Sequence, residues 1–304
     1  MPDLTDNRPD DFDAYWEGVL QELAAYPAAP EEEPLPLRSN EYCDAYTVRL
    51  TGIGPYRLFA YLSIPKGVGP FPTIYYTPRY ASVVDPLPQG AADQKRGRYV
   101  VFCMAARGQR NAEKPFEAIF PGLLTVGIDD PQAYVFRGWV ADCLRGLEYL
   151  LSRPEVDRQR VVTVGNDLAL ITAALGQGVT HVQCGPELFY APMDLAPRTT
   201  AYPLEEYNDY LRLHPERKEA VARTLSYFDL RWFGPRVQAR TLLMAGAKGE
   251  LLSPETLRPL VQDLEGRVTV HETEHSSYKD GLYGEEWVAR EFGFESAVLP
   301  EHWR

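Results

Sequence analysis

The chain has 304 residues, 45% of them hydrophobic and 24% charged, which is ample for a large buried core. Its formal charge of -12 argues against nucleic acid or an anionic membrane as partner, since an acidic surface repels both, and leaves small molecules as the default. Cys43, Cys103, Cys143 and Cys184 are far apart and match neither a zinc spacing nor a disulfide framework. The segment from Met1 to Asp6 lacks the basic and apolar parts of a signal peptide, and no stretch approaches membrane-spanning length. The expectation is a soluble, cytoplasmic protein.

In chain order, Asp11 to Ala25 has helical spacing, with Phe12, Trp16, Val19, Leu20 and Leu23 on one face, and a Pro-rich link to Pro36 ends it. Strands are expected at Tyr46 to Leu50, Arg57 to Ile64, Pro72 to Tyr76 and Tyr99 to Met104. The first two alternate like an exposed antiparallel pair. Tyr99 to Phe102 is continuously apolar, as a strand covered on both faces must be. Phe136 to Ser152 is helical, with Val140, Leu144, Leu147, Tyr149 and Leu151 as its apolar positions, and leads through Pro154 to a strand, sharp turn and helix over Val161 to Leu175, with the break at Gly165.

After a strand at Val179 to Cys184 comes an excursion over residues 185–237, rich in Tyr, Pro and charge, with a helical pattern from Glu216 to Tyr227. Thr241 to Gly246 returns to the sheet. Ser253-Pro254-Glu255 reads as a helix start and Gly266 as its stop; Arg267 to Glu272 is the last strand, and Trp287 to Phe292 lies in a closing helix. The β-α alternation predicts a single α/β domain over residues 1–304, its mostly parallel central sheet flanked by helices. A helical arm covers residues 9–36, and a lid or interface insertion covers residues 185–237.

Two patterns could carry chemistry. Val161 to Leu175 reads as strand, sharp turn and helix around Gly165-Asn166-Asp167-Leu168-Ala169, a G-x-D-x-A variant of the G-x-S-x-G nucleophile elbow, with Asp167 in the middle. Asp167 equally suits a helix N-cap, where its acceptor and charge are favourable. Glu250 follows the Thr241 to Gly246 strand and His275 follows the last strand, the chain order of an α/β-hydrolase acid and histidine. The plain alternatives are a loop histidine and an acid near a helix start. His271-Glu272-Thr273-Glu274-His275 spells H-E-x-x-H, which binds zinc when both histidines share a helix face, with Glu285, Glu286 or Glu291 as a third ligand. Here Val268-Thr269-Val270 feeds strand periodicity into the motif, so no metal and no other cofactor is expected.

Asp11-Phe12-Asp13-Ala14-Tyr15-Trp16, Arg107-Gly108-Gln109, Val156 to Val161, Leu225 to Asp229 and His275 together resemble the acetyl xylan esterase and cephalosporin C deacetylase family. The resemblance implies an α/β-hydrolase fold, a homo-oligomer, and Arg107 and Gln109 as braces of the site. In that alignment the nucleophilic serine falls on Asp167, the following glutamine on Leu168, the triad aspartate on Gly249 beside Glu250, and a His-Gly pair near the oxyanion hole on Thr77-Pro78, where proline offers no N–H. The resulting expectation is a family member degenerate as a carboxylesterase. The alternative is a hydrolase using Asp167 as nucleophile on saturated carbon, with His275 and Glu250, as in haloalkane dehalogenases and epoxide hydrolases. Tyr76, Tyr80, Trp139, Tyr190 and Trp232 are its candidate leaving-group donors.

Overall fold

The computed structural model describes residues 4–80, 83–114, 118–264 and 268–300. Among these, nine strands form one sheet in the order β1-β2-β3-β5-β4-β6-β7-β8-β9. Three antiparallel strands, β1 (Glu31–Pro34), β2 (Cys43–Thr51) and β3 (Arg57–Pro65), occupy one edge. The rest run parallel to one another: β4 (Phe71–Tyr76), β5 (Val100–Ala105), β6 (Val156–Gly165), β7 (His181–Cys184), β8 (Arg240–Ala245) and β9 (Val268–Glu272). The switch occurs where β3 pairs antiparallel with β5, all of whose residues are buried, as its unbroken apolar run requires.

Strand alternation divides the core. On β6, Val161 packs with α2 (Val135–Ser152), while Val162 joins the opposite face with Trp287 and Val288 of α8 (Ser277–Glu291). Helix α3 (Asp167–Leu175) lies against α2. Helix α1 (Phe12–Ala24) buries Phe12, Tyr15, Trp16, Val19 and Leu23, whereas Leu20, expected on that face, is 36% exposed and Tyr15 replaces it. The arm docks on the far end of the excursion: Trp16 Nε1 donates to the Tyr227 carbonyl at 3.0 Å, and Phe12 meets Phe233 edge to face. Within the excursion lie α4 (Pro192–Leu195), α5 (Glu205–Leu213) and α6 (Lys218–Ser226).

Two local expectations are corrected. Glu31–Pro34, read as linker, is a strand, because it pairs with β2 from Glu31 opposite Arg49 to Pro34 opposite Tyr46; Pro is tolerated since this is the sheet's edge. The helix expected from Ser253 begins only at Arg258, as α7 (Arg258–Asp263). Pro259 explains the delay: it has no N–H for the Glu255 carbonyl and its ring would collide with it in a continuous helix. Gly266 and Arg267, read as helix stop and strand start, lie outside the described residues. The four cysteines are buried and unpaired. No helix among the described residues is long and apolar enough to cross a membrane.

Candidate functional site

Strand β6 ends at Gly165 and α3 starts at Asp167, so the residue at the sharp turn is Asn166. Gly165 is required there by close approach: a Cβ would lie 2.4 Å from Thr77 Oγ1. Asn166 has φ -96°, without the left-handed strain expected of an elbow residue. Its side-chain amide donates to Glu187 Oε2.

Asp167 is fully buried. One carboxyl oxygen accepts from the Glu187 and Leu188 amides, each at 3.0 Å, and the other from Phe189 N at 2.9 Å. Burial pushes its pKa up, while these three donors pull against that shift. The expected position of Asp167 above the sheet is therefore corrected: it is the first residue of α3, and its side chain ties the backbone after β7 to the β6–α3 turn. Leu168, aligned with the family's glutamine, is likewise buried in the core.

A cleft of about 660 Å³ opens at the carboxyl ends of β6 to β9, the edge at which open α/β sheets bind ligands. Asn166, Glu187, Met244, Gly246, Glu250 and Thr273 line its sheet side, and Thr199 together with the run from Ala201 to Leu204 of the excursion supplies the opposite wall. Burial and the neighbouring Asp167 raise the Glu187 pKa. At the cleft's other end His275 Nε2 bonds to Glu250 Oε1 at 2.5 Å, and Glu250 Oε2 accepts from Ala247 N at 2.9 Å. This pair is open to solvent, with side-chain exposures of 62% and 44%, and His275 sits at φ 55° in the left-handed region.

The structure thus brings Glu250 to His275 and separates the Asp167 carboxyl from the cleft. His271, in β9, bonds through Nε2 to Asp280 at 2.9 Å and stacks on Tyr283, while His275 follows the strand, so the two histidines do not share a helix as zinc chelation by H-E-x-x-H demands. Arg107 clasps Asp142 through Nε and Nη2 at 3.0 and 2.7 Å; the guanidinium lies so close to Gly138 that a Cβ there would be 2.5 Å from Nε. Gln109 accepts from Ala106 N and donates to the Arg79 carbonyl. None of the five candidate donors lines the cleft. The Tyr76 hydroxyl accepts from Lys95, Tyr80 bonds Glu206, Tyr190 bonds the Thr256 carbonyl, and the Trp139 and Trp232 indole N–H groups are buried.

The acetyl xylan esterase (AXE1) family model matches residues 4–274. The chain belongs to the acetyl xylan esterase family. A curated relative, the acetyl esterase Axe7A of Xylanibacter ruminicola, is 24% identical over 261 residues; the match covers 82% of this chain, which spans only 58% of the relative's length. The acetyl xylan esterase of Paenibacillus sp. R4 superposes with a TM-score of 0.81 at 23% identity, covering 95% of this chain and 96% of that one. Acetyl xylan esterase 1 of a Thermoanaerobacterium species gives 0.80 at 22%, covering 93% and 95%. These likenesses establish the α/β-hydrolase fold of this esterase-family chain. The sequence reading passed over Asn166 and Glu187. The available signal was the four-residue strand Val161 to Val164 ending at Gly165, which leaves Asn166, not Asp167, at the turn if Val164 and not Gly165 opens the five-residue motif.

Proposed function

We propose that this member of the acetyl xylan esterase family does not cleave esters through an acyl-enzyme, and that its cleft binds a small molecule instead. The observation that carries this reading is the exchange of places at the β6–α3 turn: an amide side chain, Asn166, faces the cleft, and the neighbouring carboxyl group of Asp167 is held by three backbone N–H groups. Acyl transfer needs a nucleophile whose proton a histidine removes, and an asparagine amide supplies none. Thr77-Pro78 supports the reading, since Pro78 has no amide to offer an oxyanion. The same geometry disfavours Asp167 as a nucleophile on saturated carbon, because its oxygens point at residues 187–189 and not at a substrate.

With p-nitrophenyl acetate, the protein is expected to show the same background rate as His275→Ala; a rate that disappears in His275→Ala would overturn the proposal. In His275→Ala incubated with haloalkanes and epoxides, peptide mass spectrometry should find no adduct on Asp167. A clean adduct there would establish the aspartyl mechanism instead.

A further inference from the structure

The cleft's inventory of donors and acceptors narrows what it can hold. Of its lining residues none is Lys, Arg or His, and the charged ones are Glu187 and Glu250. Glu250 is matched by His275 and by Ala247 N, which leaves Glu187 as the carboxylate without a cationic partner in the lining. Arg79 attracts Glu187 electrostatically but gives its hydrogen bonds to Asp85, in a two-point clasp at 2.8 Å.

Several of the lining backbone donors are spent inside the protein. Gly185 N donates to the Gly165 carbonyl, Glu187 N to Asp167, Ala201 N to Thr199 Oγ1, Gly246 N to the Leu252 carbonyl and Thr273 N to the Ala245 carbonyl, all at 2.9–3.0 Å. Of the side-chain donors, one N–H of Asn166 Nδ2 goes to Glu187, and the Tyr202 hydroxyl donates to Asp209 at 2.9 Å. Glu187, the lining carboxylate without a cationic partner there, shares the cleft with the Thr199 and Thr273 side chains, with Tyr202 and with the apolar side chains of Leu204, Leu251 and Leu252. A carboxylate ligand would be repelled by Glu187, and an ester or alcohol brings no charge to pair with it. An ammonium brings three donors and a charge, and its alkyl body suits the apolar side chains.

We infer that the cleft is a site for a small primary ammonium ligand with an aliphatic body, its nitrogen held by Glu187 and its carbon chain by Leu204, Leu251 and Leu252. The inference rests on the reading of the cleft as a binding site, and goes beyond it by naming the chemistry of the ligand. The strongly acidic protein adds a long-range attraction for cations.

Calorimetric titration of the full chain with n-pentylammonium, 1-pentanol and pentanoate tests it. Pentylammonium is expected to bind about tenfold or more tightly than pentanol, with pentanoate silent, as a charge-assisted bond to carboxylate requires. Glu187→Gln should abolish that preference while leaving pentanol unchanged. Because the variant could fold poorly, the wild-type protein provides a second reading: pentylammonium affinity should fall several-fold between about 20 and about 300 mM NaCl, and pentanol affinity should not. Equal affinity for amine and alcohol, a preference for pentanoate, no binding of the amine, or salt-independent amine binding would each overturn the assignment. Parallel p-nitrophenyl acetate assays keep the two readings apart: His275-dependent turnover would refute the loss of ester cleavage and leave the amine result standing, while absent amine binding without turnover would refute only the ligand class.

Discussion

Asp167 and the His275–Glu250 pair follow one another in the chain order of a hydrolase triad, yet they live in opposite surroundings. Asp167 has no exposed surface and satisfies three amides from a segment about twenty residues away. His275 and Glu250 face water, bonded to each other across two loops, after β8 and after β9. Acid and histidine side chains thus occur in family order, but burial assigns one to holding the fold together and leaves the others open to solvent. Removing a buried acceptor strands donors that cannot reach water; removing an exposed partner exposes its mate to solvent, which costs little.

The sharpest test of that contrast is Asp167→Ala. Three buried N–H groups would lose their acceptor, so chemical denaturation should show a loss of at least about 3 kcal/mol, with Asp167→Asn less damaging because one carbonyl oxygen remains. An Asp167→Ala protein as stable as the wild type would dissolve the distinction between the two regions.

A second, smaller effect belongs to a buried histidine elsewhere, His181 at the start of β7. It is 7% exposed, with Nε2 unbonded and the ring edge-on to Trp287 and Phe292 of the closing helix region; burial lowers its pKa from 6.5 to about 4, against the pull of Glu291. The folded state disfavours the proton, so the stabilisation is complete above pH 6.5 and is lost as pH falls toward about 4, by up to about 3 kcal/mol. Unfolding curves of His181→Phe should be flatter across that window than those of the wild type. The exposed pair should show the smallest effect of all: His275→Ala is expected to change stability by less than about 1 kcal/mol. A larger loss would make His275 a structural residue like Asp167.

Much of the architecture was legible from residue pattern. The continuous apolar run of β5, the alternation of β2, and the helical spacing of α1 and α2 each report how many faces of an element are covered, which is a local property of the chain; β3, expected to alternate like an exposed strand, is instead buried on both faces between β2 and β5. The start of α7 was legible too, had Pro259 been weighed against the capping signal at Ser253. β1 was not: Glu31 to Pro34 has neither alternation nor β propensity, and it is a strand only because the β2 edge supplies hydrogen-bond partners.

The site divides along the same line. Sequence alone determined that a strand, a turn and a helix meet near Gly165, that an acid and a histidine follow in order, and that the chain resembles one esterase family. Only the tertiary structure decided that Asn166 faces the cleft, that Asp167 turns inward, and that Glu187 joins the site. The reason is geometric. Local propensity places a turn to within a residue or two, but a shift of one residue reverses which side chain faces the solvent. Here it is settled by the amides of residues 187–189, which the fold carries from the end of β7 to the start of α3.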